Sequence, residues 1–216
     1  MNITKEKKQA LLHLLKSKKM FGIEHMNSIN FKEKIVYTNE LPLEMNILEE
    51  YVSNCSLCDL AKSKSSFDFA VGNENSKIVI ITLKSIVNNK KEFDDLKLMC
   101  EKVLHTDINH IYMTNILKCN VKIEKDNLDD EIKKCLNYLK QQIRIIEPTF
   151  IITFGDAFKY LTNNNDDILD LSGNLFEYNG INTFPLLGLD FIMKNPSYKE
   201  KMFNDLKKIK KTMDEK

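Results

Sequence analysis

The sequence contains no tryptophan and has few glycines, prolines and arginines. Its 216 residues include 6 glycines and 4 prolines, and Arg144 is the single arginine. Only arginine presents a planar pair of donors to the edge of a base, so this composition argues against reading DNA bases through guanidinium groups. No apolar run approaches the ~20 residues that cross a bilayer, and we therefore expect no membrane contact.

A charge excess of one sign is also missing. Lysine and arginine number 32 against 31 aspartates and glutamates, which gives a net charge of +1. No global field therefore draws the protein to nucleic acid, and any contact with DNA must come from local basic patches. The five cysteines, without a signal-peptide pattern, suit a reducing compartment better than a disulfide scaffold. We expect a cytoplasmic protein with one substantial domain.

Four of the five cysteines form a pattern that suggests a metal centre. Cys55 and Cys58 make a C-x-x-C pair between polar residues, and Cys119 and Cys135 follow much later in the chain. Four thiolates are the usual ligand set of an iron–sulfur cluster, which this inventory favours. Zinc remains the alternative, although four-cysteine zinc sites usually contain two C-x-x-C pairs and this chain has one. The fifth, Cys100, lies on an apolar helical face and is expected to be a buried core residue.

Short β-branched runs alternate with longer amphipathic segments through most of the chain. The runs at 77–83, 110–115 and 149–154 are mostly apolar, as strands buried on both faces of a parallel sheet are. The run at 182–187 is a weaker strand because it contains Pro185. The alternation predicts an α/β fold with a doubly wound, mainly parallel four-stranded sheet flanked by helices. Helices are expected at 43–51, 93–104, 128–146, 155–161 and 197–213.

The first 45 residues differ in pattern from the rest. Residues 1–22 are typical of an amphipathic helix, with lysines beside a leucine stripe, and 23–45 look rich in loops. We therefore divide the chain into a helical and loop-containing N-terminal extension at 1–45 and an α/β domain at 46–216. The polar stretch at 162–173 is expected to be a loop inside that domain.

The predicted topology narrows the search for a binding site. In doubly wound sheets, ligands bind beyond the carboxyl ends of the parallel strands. Polar or flexible residues follow each predicted strand at that end. The four places to search are therefore 82–85, Asn115, 155–156 and 187–190.

Several motifs resemble those of a known family, the iron–sulfur uracil-DNA glycosylases of the family-4 type. The resemblance runs from about residue 48 to 211. It implies a uracil-DNA glycosylase-like fold, hydrolysis of the N-glycosidic bond of uracil in base-excision repair, and a monomer that acts on uracil-containing or damaged DNA. It also implies that Cys55, Cys58, Cys119 and Cys135 hold a [4Fe-4S] cluster. The matching stretches are Cys55-x-x-Cys58-x-Leu60-Ala61, Tyr112-Met-Thr-Asn115-Ile-Leu-Lys-Cys119, Cys135-Leu-Asn-Tyr-Leu, Pro148-x-x-Ile-Ile-x-x-Gly155-x-Ala157, Ser172-Gly173 and Lys194-Asn195-Pro196.

The chain departs from this family at the catalytic motifs. After the first strand the family has Gly-Glu-Ala-Pro-Gly, whereas this chain has Lys84 and Ser85 with no carboxylate. After the fourth strand the family has His-Pro, whereas this chain has Gly188 and Leu189. Asp190 and Asp156 lie near strand ends and are candidates for a substitute carboxylate. The catalytic residues are therefore unassigned by resemblance.

One recognition residue of the family matches. Asn115 ends the second strand, and its amide can offer a donor and an acceptor to the pairing edge of uracil. It could equally cap the turn that leads to Cys119. The aromatic residue that stacks on uracil in the family has no direct counterpart, and Phe93 is the nearest aromatic side chain, in a position where a core role is equally expected.

Contacts with DNA are expected before the last helix. Lys194, Asn195 and Ser197 lie there, and the N–H groups at a helix N-terminus can bind phosphate. The lysines of that helix could add charge or form a solvated face.

Three functional hypotheses remain open. They are a DNA glycosylase, a catalytically inactive glycosylase-fold module that binds DNA or a partner, and an iron–sulfur protein for electron transfer or redox sensing.

Overall fold

The computed structural model describes residues 41–120 and 128–215, and the helix predicted at 1–22 lies outside them. No helix among these residues is long and apolar enough to cross a membrane. The strands are β1 (Ser66–Phe67), β2 (Ala70–Gly72), β3 (Ile78–Thr82), β4 (Tyr112–Asn115), β5 (Cys119–Asn120), β6 (Phe150–Phe154), β7 (Phe176–Tyr178) and β8 (Ile181–Leu186). The α-helices are α1 (Met45–Ser53), α2 (Asp59–Ser63), α3 (Lys90–Met99), α4 (Asp129–Ile146), α5 (Ala157–Thr162), α6 (Ile168–Leu171), α7 (Leu189–Lys194) and α8 (Lys199–Asp214).

Four parallel strands form the centre of a six-stranded sheet. The strand order is β2-β4-β3-β6-β8-β7, in which β4, β3, β6 and β8 run parallel. The predicted α/β fold with four parallel strands is therefore confirmed. The structure adds β2 and β7, which pair antiparallel at the two edges. Sequence patterning missed both because three residues are too few to show a period of two.

The strand predicted to be weak is a full member of the sheet. Strand β8 pairs with β6 over residues 182–186 despite Pro185. The carbonyl of Pro185 accepts a hydrogen bond from the N–H of Gly173 at 2.9 Å. The backbone of Pro185 therefore faces away from β6, and the missing N–H removes no bond from the parallel ladder.

Each face of the sheet carries its own hydrophobic core. Successive strand residues point to opposite faces, so Val79 and Ile81 of β3 belong to one core and Ile80 to the other. The first core includes Leu139 of α4, and the second includes Leu206 of α8. The helices therefore cover both faces of the sheet, as its apolar strands require.

Two segments differ from their predicted structure. The stretch at 162–173, expected to be a loop, contains α6, which begins where the Asp167 carboxylate accepts a hydrogen bond from the Leu169 N–H at 2.9 Å. The final α-helix begins at Lys199, because the residues expected to open it form a 3-10 turn at Pro196–Tyr198.

The beginning of α3 matters for the site. This helix begins at Lys90, before the predicted start at residue 93, because the Asn89 side chain caps it by accepting a hydrogen bond from the Glu92 N–H at 3.4 Å. The early start places Glu92 in the first turn of the helix, close to the end of β3. The helix is followed by a π-helical turn at Cys100–Leu104.

The buried carboxylate of Asp205 ties α8 to the rest of the domain. It accepts hydrogen bonds from the Ser172 hydroxyl at 2.8 Å and from the Lys201 ammonium at 3.0 Å. Gly173 packs against the same carboxylate with a positive φ of 80°. The Ser172-Gly173 motif therefore has a structural use as the contact point for the last helix.

Replacing Gly72 by alanine should destabilise the domain more than the same change at Gly180. Both glycines have positive φ, 102° and 82°, but a Cβ at Gly72 would overlap the carbonyl of Ile111, whereas nothing lies within 4 Å at Gly180. We expect Gly180→Ala to cost about 1 kcal/mol and Gly72→Ala about 3 kcal/mol in the free energy of unfolding. Urea denaturation of the two variants measures the difference, and equal costs would contradict this account of β2.

Candidate functional site

A cavity of about 450 Å³ lies at the carboxyl ends of β3, β6 and β8. Lys84 and Ser85 border it after β3, and Gly188 and Asp190 border it after β8. Three of the four places named from the sequence therefore meet at one cavity, because parallel strands end at the same edge of the sheet. The remaining lining residues are Thr82, Leu83, Ile86, Asn89, Glu92, Phe154, Gly155, Asp156 and Leu189.

Carboxylates dominate the charge of this cavity. Glu92 and Asp190 both line it, and Asp190 forms an exposed ion pair of 3.6 Å with Lys194. Burial raises the pKa of Glu92, the negative charge of Asp190 raises it further, and Lys194 opposes them. Sequence reasoning missed Glu92. The signal was the Asn89-x-x-Glu92 spacing, which is typical of a helix start shortly after a strand.

A smaller cavity of about 140 Å³ adjoins the first, with Thr82, Ser85 and Ile86 lining both. Asn115 lies in the wall of the smaller cavity, so the two cavities together contain all four predicted strand ends. Phe67 lines the same wall with Phe69, and their rings are stacked with centroids 6.1 Å apart. The smaller cavity therefore combines a polar amide with aromatic side chains.

The amide group of Asn115 is held by the backbone. Its nitrogen donates hydrogen bonds to the carbonyl of Leu117 and, at 3.3 Å, to that of Asp68. The predicted capping role is therefore present in the turn that leads to Cys119. Because the donor end of the amide is engaged, the carbonyl oxygen is the end that can serve a ligand.

Phe93 lies away from both cavities. Its side chain is half-buried and packs against the core on the α8 face of the sheet. It is not among the residues that line either cavity. The expected core role of Phe93 has direct support from this packing, and its role in stacking on a base stays a prediction.

Four cysteines from distant segments gather in the core on the α4 face of the sheet, opposite the α8 face. Cys55 follows α1, Cys58 precedes α2, Cys119 begins β5 and Cys135 lies in α4, and all belong to or pack against that one core. The pKa of the Cys135 thiol is raised to about 11, mainly by burial and to a smaller extent by the other three cysteines. Burial is also the main cause of the raised pKa of Cys119, to which Cys55 and Cys58 contribute.

The fifth cysteine is separate from these four. Cys100 is buried in the core on the other face of the sheet, as its sequence position predicted, and burial raises the pKa of its thiol to about 12. Across residues 41–120 and 128–215, no group of three or more histidine, cysteine or acidic side chains is placed to hold a single metal ion.

A buried lysine lies between the cysteines and the smaller cavity. The side chain of Lys118 is 1% exposed, and its ammonium donates hydrogen bonds to the Phe69 carbonyl, the Thr114 hydroxyl and the Gln142 side-chain oxygen, at 3.1, 2.7 and 2.6 Å. Burial lowers the pKa of Lys118 to about 7, and the neighbouring Cys135 opposes that shift. Sequence reasoning missed this residue, because a lysine beside Cys119 shows no periodic sign of burial.

The residues predicted to contact DNA lie around the start of α8. Lys194 ends α7, the Asn195 side chain donates to the Phe191 carbonyl at 2.9 Å, and Ser197 lies in the 3-10 turn. Four lysines of α8 form ion pairs with acidic residues of the same helix or its end, so part of its positive charge is balanced locally. The pairs are Lys201–Asp205, Lys208–Asp205, Lys210–Asp214 and Lys211–Glu215.

Comparison with known proteins identifies the fold. Residues 69–210 match the Uracil DNA glycosylase superfamily. This range includes the four parallel strands and the strand ends that line the two cavities. The chain belongs to this superfamily. Membership accounts for the edge at which the cavities lie, because strand order and strand direction are shared properties of a fold.

Relatives within the superfamily cover most of the chain. It is 26% identical over 180 residues to a type-4 uracil-DNA glycosylase of Archaeoglobus fulgidus, a match of 76% of this chain and 90% of the relative. It is also 26% identical over 189 residues to the type-4 enzyme of Saccharolobus solfataricus, covering 80% and 88%. A DNA polymerase of Bacillus phage SP01 is 31% identical over 97 residues, which are 44% of this chain and 10% of the polymerase.

The pKa of Glu92 should fall when Asp190 is replaced by asparagine and rise when Lys194 is replaced by methionine. The first change removes a like charge and the second removes an opposite one. Because the folded pKa is raised, the contribution of Glu92 to stability is present below its unfolded pKa and is lost as the pH rises through the folded value. NMR titration of the Glu92 carboxyl carbon measures both shifts. The same direction of shift in the two variants would contradict this arrangement of charges.

Proposed function

We propose that this protein hydrolyses the N-glycosidic bond of uracil in DNA, as an iron–sulfur member of its superfamily in base-excision repair. The observation that carries the proposal is the meeting of all four strand ends at two adjoining cavities, one acidic and one with an amide and aromatic side chains. The similarity to proteins named type-4 uracil-DNA glycosylase supports the choice of substrate.

The smaller cavity suits the base. The Asn115 amide nitrogen is anchored to backbone carbonyls, so its carbonyl oxygen can accept a hydrogen bond from the N3–H of uracil. Cytosine has no hydrogen at N3, and the same contact would reject it. The stacked rings of Phe67 and Phe69 line this cavity and offer the apolar surface on which a flipped base can rest.

The larger cavity suits the sugar and the attacking water. As the bond from C1′ to the base breaks, its electron pair leaves with uracil and positive charge develops on the sugar. Glu92 and Asp190 provide negative potential for that cation. Water attacks C1′ and gives its proton to a carboxylate. Glu92 is the stronger candidate for this base because burial raises its pKa above the ordinary value of a carboxyl group.

This assignment moves the carboxylate to another element. Lys84 and Ser85 follow β3, where the family has a glutamate, and Gly188 follows β8, where the family has a histidine. Glu92 reaches the same cavity from the first turn of α3. The chain can thus supply a carboxylate without the strand-end motif.

The four gathered cysteines suit the proposed [4Fe-4S] cluster. Cys55, Cys58, Cys119 and Cys135 would hold it as thiolates, and the cluster would join three segments that are distant along the chain. A single zinc ion needs sulfur atoms about 3.8 Å apart at its usual bond length. A cluster binds each cysteine through a separate iron atom and accepts a wider spacing of sulfurs.

DNA would approach the edge of the sheet where the cavities open. Lys194 pairs with Asp190 of the larger cavity, and Asn195 and Ser197 precede the N-terminus of α8, where N–H groups can bind phosphate. All five cysteines lack disulfide partners, which suits the proposed cytoplasmic location. The monomeric state stays a prediction.

A second candidate function is a module that binds DNA without turnover. The observation that favours it is the simultaneous change of two strand-end motifs, at Lys84 and at Gly188, in a chain that keeps the four cysteines and the parallel core. Such a protein would bind uracil-containing DNA but would form no abasic site.

Replacing Glu92 by glutamine should lower the rate of uracil excision about 100-fold, because the amide cannot take the proton of the attacking water. The assay uses a uracil-containing DNA strand and detects the abasic site by alkaline cleavage. Glu101→Gln is the control, since Glu101 is exposed and lies outside both cavities. Binding of the wild-type protein to this DNA without any abasic product would favour the binding module instead.

Replacing Cys119 by alanine should remove the brown absorbance and the bound iron of anaerobically purified protein, whereas Cys100→Ala should leave both unchanged. The reason is that Cys119 belongs to the gathered set and Cys100 is buried on the other face of the sheet. Metal analysis provides the measurement. A colourless wild-type protein that contains zinc would overturn the choice of cofactor.

A further inference from the structure

Lys118 has an unusual position for a lysine. It is 1% exposed, and within residues 41–120 and 128–215 no carboxylate accepts its hydrogen bonds. The three acceptors are the Phe69 carbonyl, the Thr114 hydroxyl and the Gln142 amide oxygen, which match the three N–H donors of an ammonium group. An ammonium held by these neutral groups is stabilised by an anion nearby, which offsets part of the lost hydration.

The group proposed at the four cysteines would supply that anion. Lys118 directly precedes Cys119, and its backbone N–H lies near enough to the sulfur of Cys135 to lower the pKa of that thiol. Gln142 follows Cys135 by two turns on the same face of α4, so one helix presents both a cysteine and an acceptor of the lysine. Four thiolates outweigh the positive charge of an iron–sulfur core, so the bound group is a net anion.

The other side of Lys118 faces the smaller cavity. Its ammonium holds the Phe69 carbonyl and the Thr114 hydroxyl, and both residues line that cavity. The Thr114 hydroxyl also contacts the Phe69 carbonyl at 3.0 Å. The ammonium therefore supports the wall of the proposed base site, and Cys135 lies near enough to influence its pKa.

We infer that Lys118 is a positioning residue that links the two sites, as the counter-ion of the group held by the four cysteines and as the support of the Phe69–Thr114 wall. The inference rests on the proposed iron–sulfur cofactor. The proposed effect of Lys118 is electrostatic. A positive charge beside the cluster stabilises the reduced cluster, which carries one more electron, and so raises the reduction potential of the cluster.

The test replaces Lys118 by methionine, which keeps the length of the side chain and removes the charge. In a mediated redox titration, dithionite supplies one electron to each cluster. The equilibrium constant for reduction should fall at least tenfold in the variant, which lowers the reduction potential by about 59 mV for one electron. Lys102→Met is the matched control, because Lys102 is an exposed lysine on the π-helical turn at the other face of the sheet. Its potential should equal that of the wild type.

A second variant keeps the lysine and guards against misfolding. Gln142→Glu places a carboxylate where the amide oxygen lies 2.6 Å from the ammonium, so the two can pair. The change removes the amide's hydrogen bond to the Tyr112 hydroxyl, so thermal unfolding must first show that this variant is folded. The new negative charge should also lower the potential. Unchanged potentials in folded, iron-loaded Lys118→Met and Gln142→Glu proteins would overturn the inference. Iron-free wild-type protein would instead refute the proposed cofactor, and the iron count distinguishes the two failures.

The wall of the base site provides a second readout. Lys118→Met removes the donor to Phe69 and Thr114, whereas Gln142→Glu keeps it. Binding of free uracil, measured by calorimetry, should therefore weaken about tenfold in the first variant and less in the second. Equal affinity in Lys118→Met and wild-type protein would contradict the supporting role of the lysine.

Discussion

Parallel hydrogen bonding between β4, β3, β6 and β8 is the constraint on which the rest of the molecule depends. It sends the carboxyl ends of the four strands to one edge of the sheet. The residues after those ends then share two adjoining cavities, although up to about a hundred positions separate them along the chain. The same pairing buries each central strand on both faces and requires helices above and below.

Charge is distributed unevenly around this edge. Three acidic side chains and one lysine line the larger cavity, whereas a buried ammonium supports the wall of the smaller one. This division matches the charges that hydrolysis of a glycosidic bond creates, with a cationic sugar and an anionic leaving base. The protein has a net charge of only +1, so the division arises from local placement and not from composition.

Much of the architecture was predictable from local pattern, and the misses have clear physical causes. The three strands with apolar runs and the long amphipathic α4 were predicted close to their observed bounds. β8 was predicted to be a weak strand but pairs along its length with β6. Only the direction of the Pro185 backbone shows that no hydrogen bond of the parallel ladder is lost. Glu92 was overlooked since its helix starts one turn earlier than its apolar spacing indicates. The extension at 1–45 falls mostly outside the described residues.

The sequence by itself determined the α/β class, the edge at which to look for a site, and the four cysteines that are proposed as ligands. These follow from period, order and residue type, which are local properties. Only the tertiary structure decided that Glu92 and Asp190 line one cavity. It alone also decided that Lys118 is buried and contacts Thr114 in the wall of the smaller cavity. Burial and neighbouring charge are set by contacts between segments far apart in the chain, and no short stretch of sequence encodes such contacts.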